Sequence, residues 1–272
     1  MSVEPAAPST PDARLRTPSN LRLRTLASVG MIAVALLALW VGGIGFWLLA
    51  TVIALLMMAE WARLVHASAK HLRLGQYALM VPLAIMSPLA AGADPFALGL
   101  LIGAAFFVVI VTRQRALAAG VIYCGLPVLA LVLLRRQQEG IEWTLWAMGL
   151  VWATDIGAFF AGRSIGGAKL APRLSPNKTW AGLVGGVIAA SAVGALLHLY
   201  AGLPWRMTLA TPFLAVLAQG GDLFESWLKR RAGVKDSGDI LPGHGGVLDR
   251  LDGLVPVAPL AAFLAVLPHF YR

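Results

Sequence analysis

The sequence predicts an all-α membrane protein with about nine transmembrane helices, and three observations support this. The chain has 272 residues, of which 58% are hydrophobic. Charged residues make up only 13%, about half of the roughly 25% found in soluble domains. Several apolar runs reach the roughly 17 to 25 residues that a helix needs to cross the hydrocarbon. These runs are continuous and not alternating, which argues against a β-barrel.

The predicted elements start with a basic tail, residues 1–24, whose Pro, Ser, Ala and Arg content is typical of disorder. An uncleaved first helix follows, because the tail shows no clear cleavage site and more apolar runs come after it. The predicted spans cover residues 25–41, 44–65, 75–92, 95–112, 116–134, 142–161, 181–200, 207–225 and 254–270.

The placement of Lys and Arg predicts the orientation of these spans. With the N-terminus in the cytoplasm, 18 of the 22 cationic residues fall on the cytoplasmic side. This asymmetry favours a cytoplasmic N-terminus and an external C-terminus. The exceptions are Arg135, Arg136, Arg206 and Arg272.

The chain divides into two regions of different character. Residues 25–135 form plain spans with short loops, whereas residues 136–272 contain two long cytoplasmic loops, 162–180 and 226–253, and acids within spans. Function is therefore expected in the second region. The single cysteine, Cys124, excludes an internal disulfide framework, and no Cys/His cluster has the spacing of a zinc site.

Three acids stand within or at the ends of the later spans. Asp155, Asp222 and Glu225 occupy places where an Asp costs about 2.5 to 3.5 kcal/mol, so such residues usually mark a functional cavity. Asp222 and Glu225 are three apart and share a helix face. The alternative for Asp155 is simple pairing with Arg163. Glu60, near the end of the second span, is expected to cap or pair at the interface.

The first long loop, "GRSIGGAKLAPRLSPNKTWAG", combines four cations with early glycines and a Ser-Pro turn. Lys and Arg beside hydroxyls and backbone N–H groups suit phosphate oxygens. This pattern favours a phosphate site that includes Arg163, Lys178 and Thr179. The alternative is an ordinary positive-inside loop that touches anionic headgroups.

The second long loop ends in "GHGGVLDRLDG". Asp249 and Asp252 are three apart, and Mg²⁺ is commonly held by one or two carboxylates together with substrate phosphates. Gly245 and Gly246 allow the backbone to approach a ligand closely. His244 is either a general base or, as we prefer, a turn residue. The chain has no GxxxxGK[ST] phosphate loop and no G-x-S-x-G elbow.

The run "SWLKRRAGVKDSGDILPGHGGVLDRLD" closely resembles the signature of the phosphatidate cytidylyltransferases, also called CDP-diacylglycerol synthases. The matching positions are Ser226, Lys229, Arg230, Lys235, Asp236, Gly238, Pro242, His244, Gly245, Gly246, Asp249, Arg250 and Asp252. The segments "DIGAFFAGRSIGGAKLAPRLSPNKTWAG" and "QGGDLFESWLKR" resemble two further blocks of the same family. The resemblance covers about residues 150 to 255.

The resemblance implies transfer of a cytidylyl group from CTP to phosphatidate, giving CDP-diacylglycerol and pyrophosphate. It implies dependence on Mg²⁺, with Mn²⁺ as a substitute and a second cation left open. It also implies a multi-pass protein of the inner membrane that works as a homodimer, with its active site facing the cytoplasm. The expected partners are CTP, phosphatidate and bilayer lipids, and no nucleic acid.

On this basis we expect three sets of site residues. The expected catalytic residues are Asp222, Asp249, Lys235, Arg250 and His244. The phosphates of CTP or phosphatidate are expected to bind Arg163, Lys178, Thr179, Ser226, Lys229, Arg230, Gly245 and Gly246. The expected metal ligands are Asp222, Asp249, Asp252, Glu225 and Asp155.

Three other functions remain open at this point. A CTP-dependent polyprenol or phytol kinase would pass on a phosphate in place of a cytidylyl group. A cation-coupled transporter would use Asp155 and Asp222 as an ion path and should tolerate loss of the loop residue Asp249. A passive lipid-binding scaffold would show no metal dependence.

Overall fold

The computed structural model describes residues 18–238 and 245–267. Within these ranges the chain forms ten helices and one small antiparallel β-hairpin. The helices are α1 (Pro18–Val41), α2 (Gly43–Leu64), α3 (Ala69–Ile85), α4 (Pro95–Thr112), α5 (Arg115–Arg135), α6 (Gly140–Ser164), α7 (Trp180–Ala201), α8 (Trp205–Arg231), α9 (Leu248–Leu251) and α10 (Leu254–Val266). The hairpin strands are β1 (Lys169–Ala171) and β2 (Ser175–Thr179).

The all-α class is confirmed, and each predicted span corresponds to one helix, the last of them the shorter α10. In the part of the chain that the structure describes, five helices are long and apolar enough to cross a membrane, namely α2, α4, α5, α6 and α7. The protein is therefore a multi-pass membrane protein. The number of nine crossings and the sidedness of the termini stay predictions.

Some predicted boundaries were wrong. Helix α1 begins at Pro18, so residues 18–24 of the expected disordered tail are helical, while residues 1–17 lie outside the described residues. Helix α3 begins six residues early, because Ser68 caps it by accepting the N–H of His71 at 3.3 Å. Helix α8 continues to Arg231, into the second expected loop.

The first expected loop, residues 162–180, is not irregular throughout. Lys169 pairs with Thr179 and Ala171 with Ser175 across the antiparallel hairpin. Thr179 then caps α7, because its Oγ1 accepts the N–H of Gly182 at 3.0 Å. The hairpin thus delivers Lys178 to the first turn of α7 in a fixed position.

Two buried apolar clusters hold the helices together. One joins α2, α3, α4 and α5 and includes Val247 and Leu248 from the second loop. The other joins α6, α8 and α10 around the fully buried Trp146. Helices α6 and α7 approach closely because small residues line their contact, as at Gly157, where a Cβ would touch the backbone of Gly185.

Arg135 and Arg136, which run against the charge asymmetry, have backbone partners. The Nε of Arg135 donates to the carbonyl of Leu39 at 2.7 Å, at the C-terminal end of α1. Nη1 of Arg136 donates to the carbonyl of Ala93 at 2.9 Å, just before α4. Cationic side chains stabilise unpaired carbonyl groups at a helix C-terminus. The C-terminal end of α1 therefore explains why an arginine stands at position 135.

Candidate active site

The first group of charges joins the hairpin to α8. Nζ of Lys178 lies 2.5 Å from Oδ2 of Asp222 and donates to Oε1 of Gln219 at 3.0 Å. Ser226, one turn further along α8, lies 3.4 Å from Oδ1 of Asp222. The Asp222 side chain remains 32% exposed, so one face of this carboxylate is open to a ligand.

The second group joins α8 to α9. Nζ of Lys229 lies 3.2 Å from Oε1 of Glu225 and 2.5 Å from Oδ1 of Asp249. The side chains of Glu225 and Asp249 are only 1% and 6% exposed. A buried carboxylate needs a partner to remain charged; Lys229 contacts both side chains and is the counter-ion of Asp249.

Asp249 has several hydrogen-bond donors around its carboxylate. Oδ2 accepts the N–H of Gly246 at 2.8 Å, and the N–H and the hydroxyl of Ser237, each at 3.0 Å. Burial alone would raise its pKa, but hydrogen bonds with Glu225, Lys229 and these N–H groups outweigh that effect. They lower the pKa of Asp249 to about 2.

Asp252 has a different environment. Its Oδ1 accepts the N–H of Gly253 at 2.8 Å. Burial, together with the charge of Asp222, raises the pKa of Asp252 to about 7. Asp222 can lie close because its neighbour Gly221 packs against the backbone of Asp252, where a Cβ would not fit.

Asp155 on α6 belongs to the same electrostatic group. Its charge interacts with those of Asp222, Lys178 and Arg250. Simple pairing with Arg163 is not what the structure shows. Arg163 is exposed in the last turn of α6.

The fit of this site to Mg²⁺ can be judged from its donors. Over residues 18–238 and 245–267, no group of three or more His, Cys, Asp or Glu side chains is placed to hold a metal ion. However, Oε2 of Glu225 is buried without a hydrogen-bond partner among the described residues, and Asp222 is partly open. Such a donor set fits an ion whose remaining ligands are water and substrate phosphates.

Several predicted residues lie apart from these carboxylates. Thr179 is buried and its Oγ1 caps α7, so its expected role in substrate binding stays a prediction. Arg230 and Lys235 are exposed, and Arg230 reaches the carbonyl of Val234 at 3.4 Å. Gly245 provides a left-handed turn, with φ +80°, directly beside Asp249. His244 lies outside the described residues.

Sequence reasoning missed three residues that shape the site. Gln219 accepts a hydrogen bond from Lys178, and Ser237 donates to Asp249. Glu60, on α2, accepts hydrogen bonds from the loop that contains Asp249. Glu60 has the same sequence feature that drew attention to Asp155, namely an acidic residue within an apolar run. Its position near the end of a span had suggested an interfacial pair, but its side chain is completely buried.

An apolar cleft opens beside the charged groups. It lies between α1, α6 and α9–α10, and its lining includes Met31, Trp152 and Leu254 together with Arg250. Trp152 is 40% exposed, so the cleft faces the surroundings of the helices. An amphipathic molecule could place a charged end near Arg250 and apolar chains along the cleft.

Comparison with known proteins identifies relatives of this chain. Residues 22–267 match the model of the cytidylyltransferase family. A phosphatidate cytidylyltransferase of Brucella suis biovar 1 (strain 1330) is 42% identical over 250 residues, which cover 89% of this chain and 92% of that protein. The protein of the same name from Staphylococcus epidermidis (strain ATCC 35984) is 34% identical over 90% of this chain and 99% of its own length. That of Bacillus subtilis (strain 168) is 47% identical over 48% of this chain and 50% of its own.

Proposed function

This chain belongs to the cytidylyltransferase family, and from that premise we propose that it transfers the cytidylyl group of CTP to phosphatidate. The products are CDP-diacylglycerol and pyrophosphate. The observation that carries the proposal is the pair of ammonium–carboxylate groups, Lys178–Asp222 and Lys229–Asp249, beside an apolar cleft. A phosphorylated lipid and a nucleotide could meet there.

The reaction needs no nucleophilic side chain. A phosphate oxygen of phosphatidate forms a bond to the α-phosphorus of CTP, while the bond from that phosphorus to the α,β-bridging oxygen breaks and pyrophosphate leaves with the electron pair. Catalysis then consists mainly of holding two anions in line and neutralising charge on the leaving group.

Lys178 and Lys229 are the residues best placed for that neutralisation. Their side chains are only 16% and 14% exposed. Each is already held extended by a carboxylate, so binding phosphate requires little further ordering of a long side chain. Arg250, at the head of the apolar cleft, would meet the phosphate of phosphatidate, and the diacyl chains would lie along the cleft.

Mg²⁺ is part of the proposal as a cofactor, with Mn²⁺ as a substitute. One or two carboxylates of the group Asp222, Glu225 and Asp252 would hold it together with substrate phosphates and water, supported by the open face of Asp222 and the unpartnered Oε2 of Glu225. When bound, the ion would neutralise phosphate oxygens and strengthen pyrophosphate as a leaving group. Asp249 has less capacity to bind a metal ion, because its oxygens already accept hydrogen bonds from Lys229, Ser237 and Gly246.

The setting in the cell is also proposed. The excess of Lys and Arg in the loops that carry the site supports a site facing the cytoplasm, in the inner membrane. A homodimer rests on the family resemblance alone.

The test uses the full chain in detergent with phosphatidate, labelled CTP and Mg²⁺, and identifies the lipid product by mass. A gain of CMP with release of pyrophosphate is expected. A gain of phosphate alone would show a kinase, and no change in the lipid would refute the proposal. Omission of Mg²⁺ should abolish the product, and Mn²⁺ should restore it.

A further inference from the structure

Glu60 is a residue of the N-terminal region that reaches into the active-site loop. It lies on α2, and its side chain is completely buried. A carboxylate is costly to bury unless its oxygens are hydrogen-bonded. Among the described residues, the hydrogen-bond partners of the Glu60 side chain come from the loop around Asp249, more than 170 residues away in sequence.

Three hydrogen bonds connect Glu60 to this loop. Oε1 accepts the N–H of Val247 at 2.8 Å, and Oε2 accepts the N–H of Leu248 at 2.8 Å. The hydroxyl of Ser237 lies 2.9 Å from Oε2. Both carboxylate oxygens are therefore engaged, and the backbone that leads into α9 is fixed from two sides.

Ser237 connects Glu60 directly to Asp249. Its hydroxyl lies 2.9 Å from Oε2 of Glu60 and 3.0 Å from Oδ2 of Asp249. A hydroxyl has one proton, so it donates to one carboxylate at a time, while its backbone N–H donates to Asp249 at 3.0 Å. A displacement of Ser237 would therefore remove donors from Asp249, the partner of Lys229.

The surroundings leave little freedom for this arrangement to shift. A Cβ at Gly246 would overlap Ser237 and Glu60. The next residue, Trp61, donates from Nε1 to the carbonyl of Ala116 at 2.8 Å and stacks on Phe224 of α8 with ring centroids 6.4 Å apart. This end of α2 is thus fixed against α5 and α8, which carries Asp222 and Lys229.

We propose that Glu60 is a positioning residue for cytidylyl transfer. It contacts no substrate and acts through Ser237 and the backbone N–H groups of Val247 and Leu248, which set the place of Asp249 and hence of Lys229. This inference rests on the proposed function.

The test compares Glu60→Gln with Glu142→Gln in the full chain. Glutamine keeps the size of the side chain, but its NH₂ group would face one of the two backbone N–H donors, so that one hydrogen bond becomes a repulsive contact. Glu142 is exposed in the first turn of α6, and its substitution removes the same charge away from the loop. We expect kcat of Glu60→Gln to fall at least about tenfold relative to Glu142→Gln, about 1.4 kcal/mol of barrier, with KM for CTP changed less.

Two further readouts separate positioning from general stability. Ser237→Ala removes the hydroxyl link alone, and the double variant with Glu60→Gln should lose little more than the more impaired single variant, because both act on Asp249. Trypsin cleavage after the exposed Lys235 should be faster in Glu60→Gln than in Glu142→Gln, and this measurement requires no reaction. If Glu60→Gln does not fold, Ser237→Ala alone must still lower kcat.

Each remaining outcome contradicts the inference. A kcat of Glu60→Gln within twofold of the control, a change in KM alone, or losses that multiply in the double variant would show that Glu60 does not act through Ser237. Unchanged trypsin cleavage would show that it does not hold the loop. An inactive parent enzyme with faster cleavage in Glu60→Gln would instead place the failure in the proposed function.

Discussion

Replacing Lys229 by Met tests the central ion-pair group most directly. Met keeps most of the apolar stem of lysine and removes the ammonium that lies 3.2 Å from Glu225 and 2.5 Å from Asp249. Because these carboxylates are only 1% and 6% exposed, solvent can screen them little. Removing one partner of a buried pair usually costs about 3 to 5 kcal/mol.

The expected loss of stability is large enough to measure. At about 2 to 4 °C per kcal/mol for a chain of this size, a loss of about 3 kcal/mol corresponds to a fall in Tm of roughly 6 to 12 °C. Lys70→Met is the matched control, because Lys70 is an exposed lysine on α3 and its loss should change Tm by less than about 2 °C. Thermal unfolding in detergent, monitored by intrinsic fluorescence, measures both variants.

A double variant isolates the cause. Lys229→Met with Asp249→Asn removes the unpaired charge while the Asn oxygen can still accept Ser237 and Gly246, so Tm should recover by at least half. Activity should not recover, because the ammonium is still absent. A Tm of Lys229→Met within 2 °C of the parent, or a double variant less stable than the single one, would refute the account of Lys229 as the counter-ion of Asp249.

Three further predictions follow from individual contacts. Because the pKa of Asp252 is raised to about 7, this carboxyl loses its proton as pH rises through 7, and the apparent affinity for Mg²⁺ should increase. Asp252→Asn should flatten this pH dependence. Mg²⁺ titrations of the reaction rate at pH 6 to 8 measure both. Thr179→Ala removes the cap of α7 and should cost about 1 kcal/mol, seen as a lower Tm, while kcat/KM falls far less than in Lys178→Met. Arg135→Ala removes the donor to the carbonyl of Leu39 and should lower Tm with little change in kcat, and a lost activity at unchanged Tm would contradict its structural role.

Local sequence signals were sufficient for the helices. Continuous apolar runs predict helices α1 to α8 and α10, with boundaries that differ from the structure by up to seven residues, since the hydrocarbon demands length and apolarity from each segment alone. The hairpin at 169–179 was missed because its strands are only three and five residues long and carry no alternating apolar pattern. The early start of α3 depends on the cap at Ser68, which a hydropathy pattern does not reveal.

The residues of the site could be predicted, but their pairing could not. Lys178 and Asp222 are 44 positions apart, and nothing local indicates that β2 returns to meet α8. The lysines were expected to meet phosphates, yet in the structure they hold carboxylates. Thr179 was expected to bind phosphate, and in the structure its hydroxyl oxygen accepts the N–H of Gly182 at the start of α7.

The same contacts explain why a site at the membrane surface needs the apparently plain N-terminal helices. The loop that carries Asp249 is rich in glycine and cannot hold its own shape by side-chain packing. Its donors are instead fixed by Glu60 from α2, and its apolar residues Val247 and Leu248 enter the core of α2, α3 and α5. Because that core is buried by helices far away in sequence, a substitution among them that shifts α2 should reach Lys229 through Glu60 and Asp249. The residues of the candidate site therefore cannot be separated from the N-terminal helices as an independent unit.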